Sequence, residues 1–300
     1  MQQPETTYYR IAGLLVEVQD FTGMDMGRAL PSFTDFRASL KGAEVMVSLR
    51  IEQYPESLEL PARKILSDVS VIWHENFRFE ENENYYFTSI LGRDGASWIM
   101  LSHKDFQNST IYLRSEELYS TTKLSWLIMV AFGQACLAHR ALLIHASVVE
   151  NGRDAIAFLG KSGTGKSTHA SLWLENLPDF TLLNDDNPAI RIMSDSSVLI
   201  YGTPWSGKTH CYRNTDRLLQ SIIRLEQASE NEISDRKGLL ALTTLLPSAS
   251  AIRWNSKLYG QMLNNLEDIL ISIKVGHLRC LPNAAAAELC HSFVFEKKIY

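Results

Sequence analysis

The sequence predicts a mixed α/β protein in two parts, a β-rich N-terminal part and a C-terminal part in which strands and helices alternate. Three observations support this prediction. Short apolar segments with period-two alternation recur through the first hundred or so residues. From Ala141 onward, such segments alternate with stretches of helical apolar spacing. A glycine-rich loop at 160–165 joins one of these strands to one of these helices.

The N-terminal part, residues 1–115, is predicted to consist of strands joined by turns. Its candidate strands, including one hairpin whose turn is 92–95, are 9–18, 45–51, 85–91, 97–101 and 109–114. No catalytic motif stands out in this part. Its aromatic residues are more typical of a core than of a recognition surface: Trp73, Phe77, Phe79, Tyr85 and Tyr86.

A helix is predicted from Ser115 to about His139, because Ser115 is followed by two acidic residues that suit a first turn. It divides the chain into an N-terminal domain of unknown role, 1–115, a connecting helix, 116–139, and a C-terminal domain, 140–300. In the last, the predicted strands are 141–149, 154–159, 180–184, 189–193, 198–201, 221–226 and 275–281. The predicted helices are the one after the loop, 232–246, 258–271 and 282–294.

Composition restricts the function classes. The chain has 300 residues, 45% of them hydrophobic, which is enough for a full core. A net charge of −5 disfavours nucleic acid or membranes as partners. The polar first ten residues predict a cytoplasmic protein without a leader. The four cysteines lack metal-site spacing and are interpreted as reduced thiols, with a zinc site built from distant residues as the minor alternative.

Residues 160–168 fit the phosphate-loop template, in which two glycines separated by four residues precede a lysine and a hydroxyl residue. The glycines let backbone N–H groups converge on phosphate oxygens, and the following helix directs its positive end to the same place. Lys166 is predicted to contact the β and γ phosphates of ATP, and Ser167 to hold Mg²⁺. The predicted nucleotide-binding residues are Gly160, Lys161, Ser162, Gly163, Thr164, Gly165, Lys166, Ser167 and Thr168.

An acidic pair, Asp185 and Asp186, ends the next predicted strand, eighteen residues after Ser167. A carboxylate at this distance can lie beside the γ-phosphate and Mg²⁺. One member is predicted to hold the metal together with Ser167, and the other to accept the proton of an attacking hydroxyl. Which of the two does which stays open, and a solvated turn is the structural alternative.

His145 lies in an apolar segment before the loop, where it is either a core residue or a partner of the acidic pair. A second glycine-containing loop, 201–208, follows another strand. Its Lys208, together with Arg213, is predicted either to contact phosphate or the acceptor, or to be a solvent-facing charge on a structural turn.

These residues resemble the catalytic domain of the HPr kinase/phosphorylase family, which belongs to the phosphoenolpyruvate-carboxykinase-like group of phosphate-loop folds. The resemblance covers roughly residues 140–300. It rests on His145, on the loop Gly-x-Ser-Gly-x-Gly-Lys-Ser at 160–167 and on Asp185 and Asp186 at a strand end. The family's Glu-Val-Arg-Gly signature after the acidic pair is missing.

The resemblance implies a phosphoenolpyruvate-carboxykinase-like domain with a mixed sheet, using ATP and Mg²⁺. It implies catalytic roles for Lys166, Asp185, Asp186 and His145. Because the signature is missing, the acceptor is expected to differ from HPr. The chain resembles divergent members of this group, in which an HPr-kinase-like domain follows an unrelated N-terminal domain. Some of these members phosphorylate serine on peptides.

The sequence thus predicts a kinase that transfers the γ-phosphoryl group of ATP to a serine-like hydroxyl on a peptide, protein or small molecule. Two alternatives stay open. One is a nucleotide-binding regulatory module without phosphoryl transfer, and the other is a carboxykinase-type enzyme. The identity of the acceptor and the presence of a homo-oligomer also stay open.

Overall fold

The computed structural model describes residues 3–54, 62–72, 75–92, 95–113, 119, 122–207 and 209–295. The chain forms two compact units, one of Met1–Cys136 with Arg253–Asn255 and the other of Leu137–Ile252 with Ser256–Tyr300. Each unit contains a large sheet, so the protein is of the mixed α/β type. Among the described residues, no helix combines the length and the apolar character needed to cross a membrane.

The first unit is built on a sheet of nine strands within the described residues, in the order β3-β1-β2-β4-β9-β8-β7-β6-β5. Its strands are β1 (Glu5–Ile11), β2 (Leu14–Asp20), β3 (Arg37–Ala38), β4 (Val45–Gln53), β5 (Lys64–Ile72), β6 (Glu75–Glu81), β7 (Tyr85–Gly92), β8 (Gly95–His103) and β9 (Asn108–Leu113). Its helices are α1 (Met26–Ala29) and α2 (Lys123–Ala135). Helix α2 packs on β4 and β8, and Leu127, Ile128 and Phe132 are fully buried.

Most strands predicted for this unit are confirmed. The segments at 45–51 and 109–113 lie in β4 and β9, residue 114 lies outside the described residues, and β7 and β8 form the predicted hairpin. The single strand predicted at 9–18 is wrong, because a two-residue turn at Ala12 and Gly13 folds it into the β1–β2 hairpin. Both turn residues have positive φ, and the apolar residues around them hid that turn from the sequence pattern.

Three of the predicted core aromatics, Phe77, Phe79 and Tyr86, are buried, and Tyr85 is half-buried. Trp73 lies outside the described residues, as do the turn residues Arg93 and Asp94.

The connecting helix begins later than predicted. Tyr119 lies in a turn, Thr122 caps α2 at its N-terminus, and a 3₁₀ turn at Cys136–His139 follows α2. Ser115, Glu116 and Glu117 lie outside the described residues. The division at 115 and 139 therefore stays a prediction.

The second unit has nine strands within the described residues, seven of them in the order β10-β14-β15-β16-β12-β11-β13, with β18 beside β16 and β17 beside β18. The strands are β10 (Ala141–Leu143), β11 (Ala146–Glu150), β12 (Asp154–Leu159), β13 (Thr181–Asp186), β14 (Ala189–Ile192), β15 (Val198–Tyr201), β16 (Asp216–Gln227), β17 (Glu232–Arg236) and β18 (Lys274–Cys280). Strands β12, β16 and β18 are parallel to one another and the other pairs are antiparallel, so the predicted mixed sheet is confirmed.

The helices of this unit are α3 (Lys166–Asn176), α4 (Leu239–Leu245), α5 (Ser256–Ser272) and α6 (Ala284–Phe295). Helices α3 and α6 pack on each other and cover strands around β11, β12 and β18. Their common core includes Phe158, Trp173, Ile223 and Cys290, all fully buried. This packing fixes the N-terminal end of α3 against the sheet, where the glycine loop lies.

Two predictions for this unit are wrong. The strand predicted at 141–149 is two strands, β10 and β11, which lie at different places in the sheet. They part at Ile144, whose amide donates to the Pro188 carbonyl at 3.1 Å and which forms an isolated bridge with Ala249, and at His145, whose amide donates to the Ser248 carbonyl at 2.8 Å. The helix predicted at 232–246 begins with strand β17, because pairing with β18 overrides the helical spacing of its first residues.

Glu150 is the last residue of β11, and its carboxylate side chain is buried, 3% exposed. Its Oε2 accepts hydrogen bonds from Arg217 Nε at 2.7 Å and from the Gly152 amide at 2.5 Å. Its Oε1 accepts from Thr181 Oγ1 at 2.9 Å and from Arg213 Nη2 at 2.8 Å. Burial alone would raise the pKa of Glu150, but the Arg217, Gly152, Thr181 and Arg213 hydrogen bonds lower it from 4.5 to about 2.

Replacing Glu150 with Gln is therefore expected to lower the free energy of unfolding by about 3 kcal/mol, because two guanidinium groups lose their buried anion. The depressed pKa stabilises the fold fully above pH 4.5, and this contribution is lost as the pH falls toward 2. Urea unfolding at pH 7 and pH 3 measures both effects. The exposed Glu175→Gln should change stability by less than about 0.5 kcal/mol, and an equal effect of the two variants would contradict the prediction.

Candidate active site

The glycine loop lies between the end of β12 and the start of α3. Gly163 and Gly165 have φ of 80° and 103°, a left-handed backbone that favours glycine. Gly165 is the N-cap of α3 and, within the described residues, no side chain caps this helix end. Thr164 closes the loop, since its amide and hydroxyl both donate to the Lys161 carbonyl at 3.1 and 2.7 Å. The first-turn amides of α3 and its positive dipole end are thus available to an anion.

The predicted loop residues differ in accessibility. Lys161, Ser162, Ser167 and Thr168 are exposed, whereas Lys166 is only 9% exposed. A Cβ at Gly160 would come within 3.0 Å of the Thr164 side chain, so the closed loop favours glycine there.

Lys166 points back into the site instead of into solvent. Its Nζ donates to the Gly160 carbonyl at 3.1 Å and lies 2.9 Å from His145 Nε2. Burial lowers the pKa of the Lys166 ammonium, against the opposite effect of the Asp186 and Asp185 charges. The ammonium therefore lies between the loop and the acidic pair.

The strand order brings the loop and the acidic pair to the same edge of the sheet. Strand β11 lies between β12 and β13, and Ala146 is paired with Leu159 on one side and with Asp186 on the other. The end of β12 and the end of β13 are thus two strand spacings apart, roughly 10 Å. Side chains from both ends reach across this gap.

Asp185 is buried, 5% exposed, and accepts hydrogen bonds from three hydroxyl groups. Its Oδ1 accepts from Ser167 Oγ at 3.1 Å and also from Ser147 Oγ. Its Oδ2 accepts from Thr209 Oγ1 at 3.0 Å. The cross-strand register pairs Ser147 with Asp185, which places both side chains on one face of the sheet.

Asp186 faces His145 instead. Its Oδ1 lies 2.7 Å from His145 Nδ1, and its φ of 151° is one that non-glycine residues seldom adopt. With Nδ1–H donating to Asp186, His145 Nε2 accepts from the Lys166 ammonium, which gives a continuous Asp186–His145–Lys166 chain. The break between β10 and β11 makes this contact available, because His145 is not held in a strand ladder.

The second glycine-containing loop folds over the acidic pair. The Gly207 amide donates to the Asp185 carbonyl at 2.6 Å, and Ser206 forms an isolated bridge with Asp186. A Cβ at Gly207 would lie 3.3 Å from both the Asp185 carbonyl oxygen and Asp186 Cβ, so this close approach favours glycine. Lys208, predicted to contact phosphate or acceptor, lies outside the described residues.

Arg213 lies elsewhere than its predicted phosphate role requires. Its guanidinium is engaged by Glu150 and by the Leu182 carbonyl at 2.6 Å. Glu150 is at the opposite end of β11 from Ala146, beside which the glycine loop starts. The interpretation of Arg213 as a phosphate contact is therefore replaced by a structural role, since its charge neutralises a buried carboxylate.

A cavity of about 520 Å³ adjoins the outer side of the glycine loop. The carboxyl ends of two parallel strands line it, through Arg224 and Gln227 of β16 and His277 of β18. Gln227 Nε2 bonds the Gly163 and Thr164 carbonyls at 3.4 Å each, which ties β16 to the loop. The volume of this cavity lies within the range of small-molecule sites.

Sequence reasoning missed several residues of this site. Ser147, Thr209 and Arg224 carry no local motif, and only strand register and loop folding bring them to the acidic pair or the loop. One signal was available for Arg224, because it lies near the carboxyl end of the strand predicted at 221–226, which in the structure pairs with β12.

The predicted metal ligands are Ser167, Asp185 and Asp186. Among the described residues, no group of three or more His, Cys, Asp or Glu side chains could enclose a metal ion. Mg²⁺ typically takes one or two carboxylates and completes its shell with water and substrate phosphates, so an open set is suitable. The Ser167 hydroxyl and Asp185 Oδ1, 3.1 Å apart, are such a set, and Asp186 is turned toward His145.

Two comparisons with known proteins bear on this chain. No model of a known protein family matches it, and no curated protein sequence matches it significantly.

Proposed function

We propose that this protein is an ATP-dependent, Mg²⁺-requiring kinase that transfers the γ-phosphoryl group to a hydroxyl acceptor. One observation carries the proposal. At one edge of the sheet, the glycine loop leads into an uncapped helix end whose first residue is the buried Lys166. The Ser167–Asp185 and His145–Asp186 pairs lie beside it. These are the groups that phosphoryl transfer requires, because its catalysis consists mainly of positioning and charge stabilisation.

In this proposal the loop amides and Lys166 bind the phosphates. Lys166 exchanges its contacts with Gly160 and His145 for phosphate oxygens, which regains charge-assisted hydrogen bonds. Ser167 and Asp185 hold Mg²⁺, which when bound neutralises charge on the β and γ phosphates. The neighbouring cavity is large enough for the nucleoside.

Asp186 is the group that accepts the acceptor's proton. His145 Nδ1 lies 2.7 Å from Oδ1 of this carboxylate, and the scheme assigns Oδ2 to the incoming hydroxyl. By donating Nδ1–H, His145 keeps the carboxylate in one orientation, and it is a positioning residue in this scheme. The division of roles between the two aspartates follows from their different partners.

The resemblance to the HPr kinase/phosphorylase family supports the same proposal. We propose a phosphoenolpyruvate-carboxykinase-like fold for 140–300 on this basis, and a cytoplasmic location because the scattered cysteines are interpreted as reduced thiols. The mixed sheet, with parallel strands β12 and β16 beside antiparallel β11, is compatible with such a domain. The missing signature favours an acceptor other than HPr.

The test is incubation of the purified protein with γ-labelled ATP, Mg²⁺ and a cell extract, followed by identification of the labelled hydroxyl. Label transfer that requires Mg²⁺ and is lost in Asp186→Asn supports the proposal. Tight ATP binding without transfer or ADP release would favour a regulatory nucleotide-binding module instead. Absence of ATP binding would overturn both.

A further inference from the structure

Thr209 presents a hydroxyl group at the centre of the candidate active site. Its Oγ1 donates to Asp185 Oδ2 at 3.0 Å, and Ser167 Oγ donates to the other oxygen of the same carboxylate at 3.1 Å. The proposed metal ligand Ser167 and the Thr209 hydroxyl thus bind the two oxygens of the same carboxylate. The Thr209 backbone is held in place, since its carbonyl accepts from Ser206 Oγ at 2.5 Å and from the Cys211 amide at 2.8 Å.

The other hydroxyl groups around Asp185 are poor acceptors of a phosphoryl group. Ser147 is fully buried within β11, and Ser167 lies in the first turn of α3 with a predicted metal contact. Ser206 donates its hydroxyl to two backbone carbonyls, those of Asp185 and Thr209. Thr209, by contrast, is an exposed residue on a loop, with its hydroxyl turned inward to the carboxylate.

We propose that Thr209 is an internal phosphoryl acceptor, so that the protein phosphorylates itself in cis. This inference rests on the proposed kinase function. A bond forms between Thr209 Oγ1 and the γ-phosphorus, while the bond from that phosphorus to the β–γ bridging oxygen breaks. The bridging oxygen keeps the electron pair and leaves as part of ADP. For this internal hydroxyl, unlike the external acceptor that Asp186 serves, the proton passes along the existing hydrogen bond to Asp185 Oδ2, the carboxylate oxygen that Ser167 does not contact, and then to solvent.

Phosphorylation of Thr209 would weaken further nucleotide binding at the same site. Phosphothreonine adds a charge of about −1.5 to −2 at pH 7, next to Asp185 and to the place proposed for the nucleotide phosphates. Like-charge repulsion then weakens nucleotide binding. Thr209→Glu is therefore expected to bind a non-hydrolysable ATP analogue at least about tenfold more weakly than the matched neutral variant Thr209→Gln, as measured by calorimetric titration.

The direct test uses the full-length purified chain with γ-labelled ATP and Mg²⁺ at several protein concentrations. Tryptic mapping by mass spectrometry is expected to find one phosphate, on Thr209. The rate constant should be independent of protein concentration, because the acceptor hydroxyl lies in its own site. Thr209→Ser should keep the label, and the isosteric Thr209→Val should lose it. Thr243→Ala, which removes an exposed hydroxyl on α4, should be labelled like the wild type.

The outcomes separate this inference from the proposed function. ADP release with label on another residue or on an added acceptor, and none on Thr209, overturns the inference and leaves the kinase function standing. A first-order rate constant for labelling that rises with protein concentration overturns phosphorylation in cis. If the wild type forms neither ADP nor labelled protein and Lys166→Ala behaves identically, both the inference and the kinase function are overturned. Equal analogue affinity of Thr209→Glu and Thr209→Gln contradicts self-limitation.

Discussion

Replacing Lys166 with Ala is expected to lower phosphoryl-transfer turnover by about 10²–10³-fold, because the site loses its preorganised cation for the developing phosphate charge. ATP affinity should fall by about tenfold or more, the loss of one charge-assisted hydrogen bond. Turnover is measured as ADP release or acceptor labelling, and affinity by calorimetric titration.

The fold should survive this change. Lys166 is 9% exposed, and burial lowers the pKa of its ammonium, so its removal relieves a desolvation cost. Asp185 keeps its three hydroxyl donors in the variant. Circular dichroism should show an unchanged or higher melting temperature. Lys257→Ala, at an exposed position of α5, is the matched control, and wild-type turnover in Lys166→Ala would refute the assigned role.

Asp186→Asn is expected to lower turnover by about 10²–10⁴-fold, the usual contribution of a positioned general base. Asn has the same shape and keeps an acceptor for His145 Nδ1–H, but it cannot take a proton from the substrate hydroxyl. Nucleotide affinity should stay the same or increase, because a negative charge near the phosphates is removed. The separation of turnover from affinity distinguishes a base from a phosphate-binding residue.

The matched control for this variant is Asp179→Asn, an exposed aspartate in the turn before β13, which should keep wild-type kinetics. Asp185→Asn should behave differently from Asp186→Asn. It is expected to raise the Mg²⁺ concentration needed for half-maximal rate, because Asp185 is paired with Ser167. If the two aspartate variants give the same Mg²⁺ dependence, the proposed division of roles is wrong.

The glycine loop, the preceding strand and the following helix could be predicted because their signal is contiguous. Residues 154–176 carry the apolar strand, the two left-handed glycines and the helical spacing within one short segment. The acidic pair was also predicted at a strand end, where β13 does end. In each case the residues that specify the structure are neighbours in the chain.

The errors have the opposite origin. His145 was assigned to a continuous strand, but its amide bonds the Ser248 carbonyl, about a hundred residues away, and His145 belongs to neither β10 nor β11. Arg213 was predicted either to contact phosphate or the acceptor or to be a solvent-facing charge, but Glu150, 63 residues before it, binds its guanidinium. The segment 232–236 is a strand instead of part of a helix because it pairs with β18.

By itself, the sequence determined that a phosphate-loop motif and an acidic pair are present, and that the chain divides into β-rich and alternating parts. Only the tertiary structure decided that β11 lies between them, that Asp185 turns to Ser167 while Asp186 turns to His145, and that Thr209 reaches the same carboxylate. The reason is physical. Local backbone preferences are encoded in adjacent residues, whereas strand order and register depend on how distant segments bury their apolar faces together.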